Sequence, residues 1–193
     1  MTTTAHNPVR FSAESAGHKA LFAARLLEAA ESETPIYLGR ISLPKHRVAC
    51  LRAEGQARTE ANRRRLGCRF KERQHWANCP LSLDEIGRLA EGAIEELLEV
   101  QAAPVVEGVD ARPDVVFQTL RMDVKATFDR NSFAIAKSVA GGYDALIFVS
   151  ISADKKLHVW AVKSRPDAWE LRPGVRGGDD FYLVKCPAPA LLH

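Results

Sequence analysis

The sequence contains little that would suit a membrane protein or a disulfide-rich secreted domain. Its longest apolar runs, such as the one from Ala145 to Val149, are far too short to cross a bilayer. Only four cysteines occur among the 193 residues, residues 1–11 contain no hydrophobic signal segment, and there is no internal repeat. We therefore expect a cytoplasmic protein with no membrane association, whose cysteines are thiols or metal ligands.

The chain has the composition of one globular domain, or of one domain with an extension. Apolar residues make up 46% and charged residues 26%, which is enough to build a buried core. The net charge of +3 conceals an asymmetry, because residues 1–80 hold 14 Lys/Arg against 7 Asp/Glu, whereas residues 81–193 hold 13 against 17. The basic excess is concentrated between Arg40 and Arg73. Such a block suits a polyanion, although a solvated helix face has the same composition.

Hydrophobic periodicity predicts two helices in the N-terminal part of the chain. The first is expected over residues 13–31 and the second over residues 48–66, where Gly67 is well placed to end it. Residues 36–43 read as a short extended piece between them. We predict a basic, mainly helical DNA-binding region over residues 1–80.

The C-terminal part alternates helical and extended patterns. Ser82 and Glu85 have capping-box spacing, and an apolar stripe follows to about Val100, so a third helix is predicted there. A fourth helix is predicted over residues 131–140. Strands are predicted over residues 115–117, 120–125, 144–152, 157–162 and 181–184. The pattern indicates an α/β core over residues 81–193.

Two carboxylates and a lysine fall on neighbouring extended segments of this core. Pro113-Asp114 precedes the first segment, and Asp123-Val124-Lys125 follows after eight residues. Residues two apart in a strand point to the same face, so Asp123 and Lys125 project together while Val124 turns towards the core. If the segments pair as a hairpin, Asp114 arrives beside Asp123. The connection at Gln118-Thr119 has no Gly, Asn or Asp to favour a tight turn.

Such a pair of acids suits Mg²⁺, with Mn²⁺ as a substitute. Asp114 and Asp123 would bind the ion directly, and the Val124 carbonyl would add a third oxygen. Lys125 would orient or deprotonate a water that attacks a phosphodiester and would offset the charge that develops on the phosphate. The alternative is that Asp114 opens a turn and that Asp123 and Lys125 lie on the surface of an edge strand.

These residues resemble the PD-(D/E)xK nuclease superfamily of restriction-endonuclease-like folds, over about residues 81–162. The resemblance implies a central mixed sheet flanked by helices, and a helix carrying a glutamate before the hairpin. Gly87-Arg88-Leu89-Ala90-Glu91 is similar to that feature, so Glu91 becomes the first candidate for a further metal ligand and Glu95, placed nearer to solvent, the second. The resemblance also implies that Lys137, on the fourth predicted helix, approaches the DNA backbone, and that the protein is a homodimer.

The basic block supplies the candidate contacts to double-stranded DNA. Arginine binds phosphate and reads guanine edges, and the candidates lie on or just after the second helix. They are Arg58, Arg63, Arg64, Arg65, Arg69, Lys71 and Arg73.

A zinc site is a separate hypothesis for the N-terminal part. His46 and Cys50, and likewise His75 and Cys79, are four residues apart, so each pair would share one face of a helix. The spacing is not that of a standard zinc finger, and free cysteines are common in protein cores.

We therefore expect a Mg²⁺-dependent DNA endonuclease of the restriction or mobile-element type. A junction-resolving or repair nuclease of the same fold is the nearest alternative. A DNA-binding module without catalysis and a protein-interaction domain are the others.

Overall fold

A computed structural model describes residues 9–66, 80–100, 113–137, 142–164, 169–174 and 180–188. Within these ranges the helices are α1 (Ala16–Ala29), α2 (Lys45–Leu66) and α3 (Leu83–Leu98). The strands are β1 (Arg10–Ser12), β2 (Ile36–Ser42), β3 (Val115–Phe117), β4 (Leu120–Phe128), β5 (Ser132–Ala136), β6 (Ala145–Ile151), β7 (Leu157–Lys163), β8 (Leu171–Arg172) and β9 (Phe181–Lys185).

Six strands form a mixed central sheet in the order β1-β2-β7-β6-β4-β3. Three further strands form a second sheet, the small sheet, in the order β5-β9-β8. Strand β4 pairs with β6 in parallel, and β6 pairs with β7 antiparallel. The predicted α/β class, with a central mixed sheet flanked by helices, is confirmed.

The two faces of the central sheet carry separate apolar clusters. On one face, Met122 and Val124 of β4 pack with α3 residues such as Ile94, and α1 joins the same cluster. On the other face, Phe148 and Trp160 pack against the small sheet. Strand β6 is buried along its whole length because both of its faces are covered.

Most of the predicted elements are confirmed. Helix α3 begins with the expected capping box, in which the Ser82 hydroxyl accepts from the Glu85 N–H and the Glu85 carboxylate accepts from the Ser82 N–H. Strands β3 and β4 form the expected hairpin, with Val115 opposite Met122 and Phe117 opposite Leu120. In the tight turn Gln118 adopts a φ of 54°, so a glutamine takes the left-handed conformation that glycine usually supplies.

The predicted fourth helix, over residues 131–140, is wrong. Residues 132–136 form strand β5, which pairs antiparallel with β9. Phe133 and Ile135 are buried whereas Ala134 is exposed, which is the two-residue period of a strand. The burial of apolar surface outweighs helix propensity here, because the aromatic face of β6 and β7 would be exposed to water without β5 and β9.

The N-terminal region shares its core with the rest of the chain. Strands β1 and β2 extend the central sheet, and Phe11, Phe22 and Leu51 belong to the same apolar cluster as α3. The predicted boundary between the basic region and the α/β core is at residue 80. Residues 67–79, which come just before it, lie outside the described residues. Within the described ranges, no helix combines the length and the apolar character needed to cross a membrane.

Helix α2 is joined to α3 largely by polar contacts and by a close approach of the two backbones at Gly55. Ion pairs connect Arg47 with Glu96 and Arg52 with Glu85, the latter at 3.0 Å. A Cβ added to Gly55 would lie 2.6 Å from the Glu85 Cα and 2.8 Å from the Asp84 carbonyl oxygen. The glycine therefore lets the backbones of the two helices meet.

Gly55→Ala should destabilise the protein by about 1–3 kcal/mol, because backbone atoms of α3 have to move. The matched control is Gly87→Ala in α3, whose added Cβ would meet only the Glu91 Oε1 at 3.8 Å. That change should stabilise by up to about 1 kcal/mol through helix propensity. Urea unfolding of the two variants measures both effects. Equal changes in the free energy of unfolding would show that the helices do not touch at Gly55.

Candidate functional site

The edge of β4 brings Asp114 and Asp123 together. Strand β3 pairs with β4 only as far as Met122, so the β3-facing edge of β4 beyond that residue meets Asp114 instead of a strand. The Asp114 carboxylate accepts a hydrogen bond from the Val124 N–H at 2.8 Å. The N–H and C=O of one strand residue point to the same edge, so the Val124 carbonyl also opens towards Asp114. The expected convergence of Asp114 with the Asp123-Val124-Lys125 segment is present.

Asp123 is a buried carboxylate next to a lysine. It is 3% exposed, and the Lys125 Nζ lies 2.7 Å from its Oδ2. Burial raises the pKa of Asp123 to about 7; the Lys125 charge opposes this rise, and the Asp114 charge adds to it. A buried acid of this kind favours a bound proton or a bound cation.

The oxygens at this edge fit a hard divalent cation. Asp114 accepts from the Val124 N–H and its charge acts on the buried Asp123 carboxylate, so two carboxylates lie close together at this edge. Within the part of the chain that the structure describes, no three His, Cys, Asp or Glu side chains converge on a single metal position. The residues present therefore fit an ion held by two side chains, with waters and a substrate oxygen in the remaining positions.

Glu91 is held by arginines. Its carboxylate lies 2.9 Å from Arg58 of α2 and 3.5 Å from Arg88 of α3. Burial raises the pKa of Glu91, the Arg58 charge opposes the rise, and the charge of Asp114 contributes to it. The charge of Asp114 therefore acts on Glu91. Among the described residues, however, Glu91 does not form a metal-ligand group together with Asp114 and Asp123.

The sequence predicts that Glu95 points towards solvent, and this prediction is wrong. It is 8% exposed and receives two hydrogen bonds of 2.9 Å from Arg88, which is itself 6% exposed. Arg88 also pairs with Glu54 of α2. The sequence reasoning missed Arg88, although its spacing of seven residues from Glu95 places both on one helix face.

The predicted DNA contacts fall into three groups. Arg58 is half-buried and engaged with Glu91. Arg63 and Arg64 pair with Glu60 on the same helix, and they are exposed together with Arg65. Arg69, Lys71 and Arg73 lie outside the described residues. A role of these side chains in binding DNA stays a prediction.

Lys137 does not lie on a helix. It follows strand β5, is exposed, and donates its backbone N–H to the Asp180 carbonyl at 2.8 Å. The helical position predicted for this lysine is therefore wrong.

Only half of the predicted zinc ligands are described. His46 and Cys50 are both exposed on α2, while His75 and Cys79 lie outside the described residues. The zinc hypothesis stays a prediction.

The raised pKa of Asp123 gives the stability of the protein a defined pH dependence. The folded state retains a proton between the ordinary pKa of about 4 and the raised value of about 7, so stability should fall as pH rises through this window. The slope should be at most about 1.4 kcal/mol per pH unit and should level off above the window. Asp123→Asn should lack this component. Urea unfolding of both proteins in EDTA, from pH 4 to pH 8, measures it, and a constant difference between the two proteins would contradict it.

No family model matches the chain, and no curated protein or solved structure is significantly similar to it. The function must therefore be inferred from the chemistry of the Asp114–Asp123–Lys125 site itself.

Proposed function

We propose that the protein is a Mg²⁺-dependent DNA endonuclease that hydrolyses phosphodiester bonds. The observation that carries this proposal is the buried Asp123 carboxylate, with Lys125 at 2.7 Å and Asp114 across the edge of β4. Two neighbouring carboxylates disfavour each other's charge, so Asp114 beside the Asp123–Lys125 ion pair is unfavourable unless a cation or a proton is bound. Their proximity therefore favours a role in binding a cation.

Each residue of the site has a separate task in the proposed reaction. Asp114 and Asp123, together with the Val124 carbonyl, would hold Mg²⁺, which supplies Lewis-acid polarisation of a phosphate oxygen when bound. The Lys125 side chain is 32% exposed, so its ammonium reaches from Asp123 to the solvent side of the site. There it can hold the attacking water and offset negative charge on the phosphate.

The order of elements supports a restriction-endonuclease-like fold as part of the proposal. Helix α3 precedes the β3–β4 hairpin, which carries the motif, and β6 then pairs parallel to β4. One departure is that strand β5 stands where the resemblance implies a helix. The homodimer implied by the resemblance stays a prediction.

Cleavage of supercoiled plasmid in Mg²⁺ tests the proposal. The parent should cut the plasmid, and Asp114→Ala, Asp123→Ala and Lys125→Ala should each lower the rate at least about 100-fold, because each removes a group needed at the phosphate. EDTA should abolish cutting.

Asp154 and Lys156 provide a matched control. They have the same residue types and spacing as Asp123 and Lys125 and also form an ion pair, but they lie exposed in the β6–β7 turn. Asp154→Ala and Lys156→Ala should leave the rate at saturating plasmid within about twofold of the parent. A parent that does not cut, or that still cuts after loss of Asp114 or Lys125, would rule out this catalytic assignment. Parallel reactions with linear duplex and four-way junctions separate a restriction-type enzyme from a junction-resolving one.

Metal binding can be measured without cleavage. Calorimetric titration with Mg²⁺ should give an affinity that falls at least about tenfold in Asp123→Asn, since the amide cannot replace a negatively charged ligand. Asp154→Asn should bind as the parent does. Equal affinities in all three proteins would place the ion elsewhere.

A further inference from the structure

The edge of the central sheet farthest from Asp114 carries a second polar cluster. Arg10 of β1, Tyr37, Arg40 and Ser42 of β2, and His158 of β7 form what we call the Arg40 patch. Arg10 stands opposite Arg40 in the parallel β1–β2 pairing, and Arg40 stands opposite His158. These residues alternate with the buried Phe11 and Ile41, so they lie on the opposite face of the sheet from the helices.

A β-bulge creates this arrangement. Tyr37 pairs with Trp160 but Gly39 already pairs with Val159, so β2 contains one extra residue at this point. The extra residue places Tyr37 and Arg40, three apart in sequence, above Trp160 and His158, which are two apart on β7. Gly39 has a φ of 148°, and a Cβ there would lie 2.5 Å from the Val9 carbonyl oxygen. Bulges often redirect side chains at functional sites.

The positive charge of the patch is not neutralised by any carboxylate among the residues that the structure describes. Neither Arg10 nor Arg40 has a carboxylate partner among the described residues; Arg10 donates only to the Ser42 hydroxyl, at 3.2 Å. The Arg40 Nε is buried and makes no hydrogen bond within the described ranges. Like charges on directly opposed strand positions are unfavourable, and an unsatisfied buried donor costs about 1–3 kcal/mol. An anion bound to the two guanidinium groups would remove the cost of placing like charges on opposed positions.

The neighbouring aromatic residues supply neutral polar groups. The Tyr37 hydroxyl and the His158 Nδ1 are 2.9 Å apart and share a hydrogen bond. Burial raises the pKa of Tyr37 to about 12, and burial followed by the charge of Arg40 lowers the pKa of His158, so both are uncharged at neutral pH. Asp154, whose charge also reaches His158, is itself paired with Lys156.

We propose that the Arg40 patch binds phosphodiester groups of a nucleic-acid strand, at a place separate from the Asp114–Asp123–Lys125 site. Guanidinium groups match phosphate oxygens in geometry and bind them through paired hydrogen bonds. Polar hydroxyl and imidazole groups beside them supplement such a contact. The identity of the ligand as nucleic acid rests on the proposed function; the anionic character of the ligand rests on the patch alone.

The patch and the Asp114–Asp123–Lys125 site lie at separate places on the central sheet. Strands β7 and β6 separate β2 from β4, so about 14 Å of sheet lies between them at the usual strand spacing. The small sheet packs on Phe148 and Trp160 in this interval, so it covers the face of the central sheet between the two places. The patch would therefore contact phosphates apart from the bond that is cut.

The salt dependence of DNA binding tests this site. Binding of a labelled duplex is measured by fluorescence anisotropy in EDTA, so that no cleavage occurs, over a range of NaCl concentrations. Arg40→Gln and Arg10→Gln should each weaken binding and reduce the slope of log K against log salt by about 0.9, equally for two unrelated duplex sequences. Arg172→Gln is the matched control, because Arg172 is an exposed strand arginine on the small sheet that pairs with Glu170.

The outcomes separate this proposal from the proposed function. Unchanged slopes in Arg10→Gln and Arg40→Gln, or a loss that Arg172→Gln shows equally, would overturn the patch as a phosphate site even if the parent cuts plasmid. A reduced slope in a protein that never cuts would support the patch and reject the nuclease. Binding of a polyglutamate peptide through Arg40, without any effect on duplex binding, would assign the patch to a protein partner and overturn the proposal. If Arg40→Gln unfolds, Arg10→Gln gives the same reading, since Arg10 is exposed.

Discussion

The burial of the Asp123 carboxylate is the constraint on which the candidate site depends. Parallel pairing with β6 fixes the direction of β4 and places Asp123 in register with Leu146, which belongs to the apolar cluster under the small sheet. A carboxylate at 3% exposure cannot be hydrated, so its charge has to be balanced locally. Lys125 provides part of that balance, and Asp114 opposes it. The site is therefore under-compensated for negative charge, which is the condition that favours a cation.

The basic helix α2 has two different roles along its length. Its first part uses arginines to hold α3, through Arg47 with Glu96, Arg52 with Glu85 and Arg58 with Glu91. Its last turn, with Arg63, Arg64 and Arg65, projects into solvent. The excess of positive charge in this region is thus partly structural. A polyanion would meet only the exposed end of the helix, and the Arg40 patch contributes positive charge on the other face of the sheet.

Patterns that depend on neighbouring residues were predicted well. The capping box at Ser82, the β3–β4 hairpin and the strands β6 and β7 follow from periodicity and turn chemistry, and all of them occur in the structure. The prediction of a helix over residues 131–140 failed because Phe133 and Ile135 are drawn into a strand by the aromatic surface they cover. Glu95 was predicted near solvent because a hydropathy pattern treats both Glu95 and Arg88 as polar surface. In the structure the buried Arg88 pairs with Glu95 on the same helix.

The sequence by itself determined which side chains of β4 share a face, because the two-residue period of a strand is local geometry. It also determined that two acids and a lysine stand near one hairpin. Only the tertiary structure decided that Asp123 is buried, that Glu91 is engaged by Arg58, and that Arg10, Arg40 and His158 meet on adjacent strands. These three outcomes depend on which strands become neighbours and on what covers each face, and both are set by contacts between residues far apart in the chain.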